Sequence, residues 1–90
     1  MKTYKLLIKG KVQGVWFRSW FEKNAKDLKL NGYIHNLNNI NEVESIIQGD
    51  IKSIEKIAKL SKIGPPMAKV EKIILKELFD TNEYDIFEIK

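Results

Sequence analysis

The chain has 90 residues, of which 43% are hydrophobic and 31% charged, a balance typical of a globular protein with one domain over residues 1–90. It contains no cysteine, which excludes disulfides, thiolate metal ligands and a cysteine nucleophile. Its formal net charge of +4 favours anionic partners, such as a small phosphorylated metabolite or a nucleic acid.

The hydropathy of the chain predicts neither a signal peptide nor a membrane span. Near the N-terminus the apolar run is only Leu6-Leu7-Ile8, with a lysine on each side. No apolar stretch approaches the roughly 18 residues of a transmembrane helix. We therefore expect a cytoplasmic protein with no membrane partner.

The first third of the chain predicts a strand, a loop and a helix. Residues 3–9 alternate, with Tyr4, Leu6 and Ile8 on one face, as in a half-buried strand. Residues 10–15 contain two glycines and predict a loop. From residue 17 apolar side chains recur every three or four positions, which predicts an amphipathic helix of about eleven residues. The side chains of its apolar face are Phe17, Trp20, Phe21, Ala25 and Leu28.

The middle of the chain predicts a hairpin and a second helix. Asn31-Gly32 is expected to end the first helix in a turn. Residues 33–37 and 42–48 are predicted strands, joined by a turn at residues 38–41 in which three of four residues are asparagine. Asp50 is a predicted N-cap, and Gly64-Pro65-Pro66 is expected to end the helix that follows. The apolar side of that helix is predicted to carry Ile51, Ile54, Ile57, Ala58 and Leu60.

The last third predicts one long strand and a short one. Residues 70–79 form the fourth predicted strand, and the irregular apolar spacing indicates a bulge near Glu71-Lys72. Residues 86–89 predict a short edge strand. The order βαββαβ predicts an α+β, ferredoxin-like sandwich, in which an antiparallel sheet of four strands, or five with the short one, carries two helices on one face. Since this fold hosts many functions, function has to be inferred from a site.

The stretch from Gly10 to Arg18 has the features of an anion-binding loop. A strand precedes it and a helix follows, so successive backbone N–H groups can converge beside the helix N-terminus. Gly14 lets the backbone come close to a ligand. Arg18 is the one arginine among 16 basic residues, and its planar fork matches two phosphate oxygens, whereas lysine offers a point charge. An arginine at a helix start opposes the helix dipole unless an anion is bound there. The spacing alone leaves an ordinary strand-to-helix turn open.

Three stretches of the sequence resemble the acylphosphatase family. Residues 10–18, Gly-Lys-Val-Gln-Gly-Val-Trp-Phe-Arg, resemble its signature G-x-V-Q-G-V-x-F-R. Residues 32–36, Gly-Tyr-Ile-His-Asn, resemble a second signature, and residues 64–70 resemble a further common stretch. The hairpin after Asn36 departs from the family pattern N-x-x-x-G, because Ile40 stands at the glycine position and the loop is one residue longer. The resemblance covers essentially the whole chain.

This resemblance implies an enzyme that hydrolyses the carboxyl-phosphate bond of acyl phosphates by attack of water at phosphorus. It implies that Arg18 binds the phosphate group and that Asn36 holds the attacking water. The products are a carboxylate and inorganic phosphate. Inorganic phosphate would also inhibit the enzyme. The family uses no metal and no cofactor, and we expect a monomer. The resemblance further implies that the phosphate is bound by the backbone N–H groups of Gln13, Gly14, Val15, Trp16 and Phe17.

Other interpretations of these residues stay open. Without the resemblance, Asn36 would be a turn-favouring asparagine at a strand end. Trp16 could shape the mouth of the site or contact the acyl group, or it could simply pack in the core or at the rim of the loop. His35, the only histidine, is expected to point away from Asn36, and no acidic residues stand at metal-ligand spacing from it.

Two alternative functions belong to other classes. One is an anion-binding domain that has the loop but no activity. The other is a nucleic-acid-binding module, because ferredoxin-like sheets with basic charge occur in RRM proteins. The aromatic RNP1 pattern of those proteins is absent here, so we do not expect a nucleic-acid partner.

Overall fold

The computed structural model describes residues 1–79 and 82–90. Its five strands form one sheet with the order β4-β1-β3-β2-β5. Strands β1 to β4 pair antiparallel, whereas β5 pairs parallel with β2. The predicted ferredoxin-like fold is confirmed, including the short C-terminal strand. In chain order the elements are β1 (Lys2–Lys11), α1 (Phe17–Asp27), β2 (Asn31–Asn36), β3 (Glu42–Gly49), α2 (Ile51–Ile63), β4 (Lys69–Leu78) and β5 (Phe87–Ile89).

The core lies between the two helices and one face of the sheet. Leu6 and Ile8 of β1 are fully buried there, as the alternation of this strand predicts. From α1 the buried side chains are Phe17, Phe21 and Ala25, so the predicted apolar face of this helix is confirmed. Burying one large apolar side chain contributes about 1.5–3 kcal/mol, so this cluster is what holds the helices on the sheet.

Helix α2 begins at the predicted place but buries a somewhat different face. The Asp50 carbonyl accepts a hydrogen bond from the Ile54 amide at 3.0 Å, but the Asp50 side chain makes no capping hydrogen bond. Ile54, Ile57 and Ala58 are buried as predicted. The prediction for Ile51 is wrong: it is 38% exposed, because the buried face starts one turn later and continues to Ser61. The predicted Leu60 is half-buried.

The first helix has the eleven residues predicted for it, but Asn31-Gly32 is not its terminal turn. The chain leaves the helix at Lys29, which has a positive φ of 58°. The Lys29 amide donates to the Lys26 carbonyl, and the Leu30 amide donates to the Ala25 carbonyl, which is a Schellman arrangement. Leu30 is 1% exposed, so burial of its side chain stabilises this ending without a glycine.

Gly32 lies inside β2, where it permits a close approach of β3. A Cβ atom at this position would lie 1.9 Å from the Ile46 carbonyl oxygen. Only glycine fits there, because any side chain would overlap the neighbouring backbone. Glycine is therefore required in the strand, and the sequence pattern misplaced it in a turn.

The predicted bulge in β4 is confirmed at Glu71. Lys9 of β1 pairs with Lys72, but the next residue, Gly10, pairs with Val70. Glu71 is therefore the extra residue. Gly10 lies in β1 rather than in the following loop, so the loop begins two residues later than predicted.

Residues 82–84, which precede β5, lie against the open face of the sheet. Gln48 of β3 is buried there and binds two of them: its Nε2 donates to the Asn82 carbonyl and its Oε1 accepts from the Tyr84 amide. Asn31 Nδ2 also donates to the Tyr84 carbonyl, at 2.9 Å. These bonds hold β5 against the outer edge of β2. Within the ranges described, neither helix has the length and hydropathy that would let it cross a membrane.

Candidate functional site

Three parts of the chain meet at one end of the sheet. β1 runs towards this end, α1 runs back from it, and β2 returns to it, so the end of β1, the start of α1 and the end of β2 are neighbours. The connection between β1 and α1, residues 12–16, is called the β1–α1 loop below. The hairpin between β2 and β3, residues 37–41, lies at the same end.

The β1–α1 loop is anchored by two buried valines. Val12 and Val15 are 1% and 5% exposed and belong to the core cluster. Between and after them Gly14 and Trp16 face outwards, and both have a positive φ, of 74° and 64°. A Cβ atom at Gly14 would have no neighbour within 4 Å, so the backbone there is open to an approaching group. The buried valines make this loop rigid although its outer side is exposed.

The β1–α1 loop has unpaired backbone donors. The first hydrogen bond of α1 runs from the Trp20 amide to the Trp16 carbonyl at 3.1 Å. Within residues 1–79 and 82–90, no group accepts a hydrogen bond from the N–H groups of residues 13–18. Helix geometry accounts for the last of these, since the first N–H groups of a helix have no partner within it. The loop and helix start together can therefore bind an anion.

Arg18 stands in the first turn of α1 and lines a cleft of about 340 Å³. Its side chain is half-buried, and it forms no salt bridge with a carboxylate of the described residues. The first turn of α1 contains no acidic residue that could compensate it. The cleft thus has an unpaired guanidinium beside the unpaired N–H groups. The other residues that line it are Val12, Gly14, Trp16, Phe17, Ser19 and Ile89.

Three of these cleft residues were missed by the sequence interpretation. Val12 was read only as part of the loop, and Ser19 has no distinctive pattern. Ile89 is brought in from the C-terminus by the pairing of β5 with β2. Trp16, by contrast, is at the rim, with 79% of its surface exposed, and the alternative that it packs into the core is wrong.

The Gln13 side chain joins the loop to the hairpin. Its Nε2 lies 3.0 Å from the Leu37 carbonyl oxygen, 3.1 Å from that of Asn39 and 2.9 Å from that of Glu42. The Gly10 amide adds a bond to the Asn41 carbonyl at 2.8 Å. The loop and the hairpin therefore hold each other in place, which the sequence pattern did not predict.

The hairpin is closed by two backbone hydrogen bonds and by an asparagine side chain that bonds the nearby backbone, as predicted for an asparagine-rich turn. The Leu37 amide donates to the Glu42 carbonyl at 3.2 Å, and the Glu42 amide donates to the Asn39 carbonyl at 3.1 Å. The Asn39 side chain accepts a hydrogen bond from the Asn41 amide at 3.0 Å. This closed turn accommodates Ile40, which is exposed.

Asn36 is the last residue of β2 and lies opposite Val43 of β3. It shares the helix-side face of the strand with Ile34, because alternate residues of a strand face the same way. Its side-chain oxygen is buried and has no hydrogen-bond partner among the described residues. The described residues that line the Arg18 cleft do not include Asn36. The structure therefore places Asn36 at the same end of the sheet as the β1–α1 loop, with unused hydrogen-bonding capacity.

His35 points to the other face of the sheet, as expected. Its Nε2 lies 3.1 Å from Glu44 Oε1, and its ring contacts that of Tyr33. Burial raises the pKa of the Tyr33 hydroxyl, and the nearby Tyr84 and Glu44 raise it further. In the part of the chain that the structure describes, no three carboxylate or imidazole groups are arranged as metal ligands.

Comparisons with known proteins show the family of the chain. A family model described as acylphosphatase matches residues 4–89. An acylphosphatase of Thiobacillus denitrificans is 39% identical over 88 residues, which cover 98% of this chain and 96% of the relative. The crystal structure of an acylphosphatase from Bacillus subtilis superposes with a TM-score of 0.94 at 29% identity, covering 100% of this chain and 99% of that one. An acylphosphatase from Coxiella burnetii gives a TM-score of 0.93 at 31% identity, covering 99% and 92%. The chain therefore belongs to the acylphosphatase family.

Proposed function

We propose that this chain hydrolyses acyl phosphates to a carboxylate and inorganic phosphate, with Arg18 and Asn36 as its catalytic residues. One observation carries the assignment of the site. N–H groups without a hydrogen-bond partner in the β1–α1 loop lie beside the Arg18 guanidinium, which has no salt-bridge partner. A phosphate group needs this combination, because it has several acceptor oxygens and a net negative charge. Neither alternative function, binding without catalysis or nucleic-acid binding, is favoured by an observation.

The phosphate group of the substrate is held by the loop and by Arg18. Backbone N–H groups of residues 13–17 donate to its oxygens, and the guanidinium binds two of them in parallel. The open backbone at Gly14 supports this placement, since no side chain blocks access to it. In this position the donors also stabilise the charge that develops on the phosphoryl oxygens in the transition state.

Asn36 positions the attacking water. A buried amide oxygen without a partner costs about 1–3 kcal/mol, and such groups are kept where they have a task. The amide can accept from a water through its oxygen or donate to it through its nitrogen, and a 180° rotation exchanges the two. An asparagine cannot remove a proton, so its role is orientation rather than base catalysis.

The reaction then needs little acid–base assistance. The water oxygen forms a bond to phosphorus while the bond between phosphorus and the acyl oxygen breaks, and the electron pair leaves on the carboxylate. A carboxylate is a good leaving group, so positioning and charge stabilisation supply most of the catalysis. The proton of the water passes to a phosphate oxygen of the substrate. No metal or cofactor takes part in this scheme.

We also propose an oligomeric state, a cellular compartment and an inhibitor for the protein. The protein acts as a monomer of one domain in the cytoplasm, and inorganic phosphate inhibits it by occupying the loop. The net charge of +4 supports the attraction of an anionic substrate.

The test is hydrolysis of benzoyl phosphate by the purified chain. We expect turnover that excess EDTA does not change and that inorganic phosphate inhibits competitively. A salt-titrated RNA-binding assay run beside it separates the nucleic-acid alternative, because such binding falls steeply with salt. Phosphate binding without turnover would support the non-catalytic alternative and contradict the proposed function.

A further inference from the structure

We infer that the Gln13 side chain is a positioning residue that sets the place of Asn36 relative to the β1–α1 loop. The inference rests on the proposed function and goes beyond it, because there Gln13 contributes only its backbone N–H. Its Nε2 lies within hydrogen-bond distance of the carbonyl oxygens of Leu37, Asn39 and Glu42. One amide nitrogen is thus enclosed by carbonyls from both sides of the hairpin.

These carbonyls belong to the segment that follows Asn36 in the chain. Leu37 directly follows Asn36, so fixing the Leu37 carbonyl fixes the peptide unit that joins the two residues. The Glu42 carbonyl also accepts from the Leu37 amide at 3.2 Å, which makes Leu37 and Glu42 the pair that closes the hairpin. Gln13 binds both members of this pair and therefore holds the hairpin at its base.

Gln13 itself is held in the β1–α1 loop. It lies between Val12, which is 1% exposed, and Gly14, at which the open backbone of the loop begins. Its main chain thus belongs to the phosphate-binding loop, while its side chain binds the segment that follows Asn36. A single residue spans the two halves of the site. Attack on phosphorus requires the water to be placed within a few tenths of an ångström, and a displacement of about 1 Å can cost about 100-fold in rate.

The hairpin between Asn36 and β3 has five residues, 37–41. Its tip is exposed at Asn38, Asn39 and Ile40. Loops with exposed tips and few apolar contacts are the mobile parts of a fold. A hydrogen-bonded anchor at the base of the hairpin is therefore important for the position of the Asn36 side chain.

The test uses two substitutions at Gln13 and one control. Gln13→Met keeps the length of the side chain and removes its donors. Gln13→Glu keeps the shape but places a carboxylate oxygen against three carbonyl oxygens. Asn38→Asp adds the same charge at the exposed tip of the hairpin and should leave turnover unchanged. We expect both Gln13 variants to lower kcat about 10- to 100-fold, and in the uncharged variant Gln13→Met the inhibition constant for inorganic phosphate should change by less than about 3-fold.

A double-mutant cycle with Asn36→Ala separates positioning from general structural damage. If Gln13 acts through Asn36, Gln13→Met lowers kcat in the unsubstituted protein but changes kcat of the Asn36→Ala variant by less than about 2-fold. Equal fold-losses in both backgrounds would overturn the inference. Amide hydrogen exchange at Leu37 and Glu42 gives a second readout, and protection that survives in Gln13→Met would overturn it as well.

The outcomes for the two proposals are distinguishable. If the unsubstituted chain does not hydrolyse benzoyl phosphate, the proposed function fails and this inference fails with it. If the unsubstituted chain is active and the losses are additive, the proposed function stands and only the role of Gln13 is refuted.

Discussion

Ile89, in the last strand, lines the same cleft as Arg18, at the start of the first helix. The two are brought together because β5 pairs parallel with β2 and so ends beside the start of α1. Apart from Arg18 and Ser19, the side chains around this cleft are apolar. In the proposed binding mode, the part of the substrate that extends from the loop past Ile89 meets an apolar surface.

Arg18→Lys should reduce kcat/KM for benzoyl phosphate by about 100-fold or more, because an ammonium cannot bind two phosphate oxygens in parallel. Inhibition by inorganic phosphate should weaken with it, and steady-state kinetics measures both. Lys26→Ala in the same helix is the control. It removes only the exposed salt bridge to Glu22, with N···O 3.4 Å, which is worth about 0.3–0.5 kcal/mol. Unchanged kinetics in Arg18→Lys would exclude the proposed phosphate contact.

Asn36→Ala should lower kcat while phosphate still inhibits at nearly the same concentration. The reason is that the variant loses a group that orients the water but keeps the loop and Arg18. Asn38→Ala, in the exposed part of the hairpin, should leave both constants unchanged. If Asn36→Ala instead raised KM alone, Asn36 would be a binding residue and the proposed mechanism would need another group for the water.

Trp16→Gly should change substrate preference and not reduce stability. Trp16 is 79% exposed and has a φ of 64°, a conformation that glycine adopts without strain. The indole is available to the acyl group at the rim of the cleft, so its loss should raise KM for benzoyl phosphate more than for acetyl phosphate. Urea denaturation should show equal or higher stability. An unchanged ratio of kcat/KM for the two substrates would show that the indole makes no acyl contact.

Gly32→Ala should destabilise the fold severely, whereas Gly14→Ala should do so mildly. The methyl group at Gly32 would lie 1.9 Å from the Ile46 carbonyl oxygen, so β2 and β3 would have to separate. At Gly14 nothing lies within 4 Å, and the cost is the backbone conformation alone, about 1 kcal/mol. Urea unfolding of the two variants measures the difference, and similar midpoints would contradict the close approach at Gly32.

Alkaline pH should weaken the fold partly through Tyr33. Its pKa in the folded protein is raised by burial, with Tyr84 and Glu44 adding to the shift, above the ordinary value of 10.0. The native state therefore keeps its proton longer than the unfolded chain, and the associated stability is present below pH 10 and lost as pH rises through the folded pKa. Tyr33→Phe should lose less stability than the unsubstituted chain between pH 9 and pH 11 in urea unfolding experiments. Parallel pH profiles would refute this contribution.

The sequence by itself was sufficient for the fold and for the family. Alternation in β1 and three- and four-residue spacing in α1 report which faces are buried, since these are local consequences of backbone geometry. The irregular apolar spacing in β4 likewise located the bulge that the structure places at Glu71. The motif at residues 10–18 predicted a candidate anion-binding loop with Arg18, because the residue types required there lie next to one another in the chain.

Only the tertiary structure decided the features that depend on distant parts of the chain. Gly32 was misplaced in a turn because the nearby carbonyl that requires glycine belongs to another strand. The helix ending at Lys29 was missed because it is stabilised by burial of Leu30 and not by a turn-forming residue. The Gln13 bonds to the hairpin and the place of Ile89 beside Arg18 are likewise contacts across the fold. A sequence pattern records the local conformation, whereas these contacts arise only when the strands have paired.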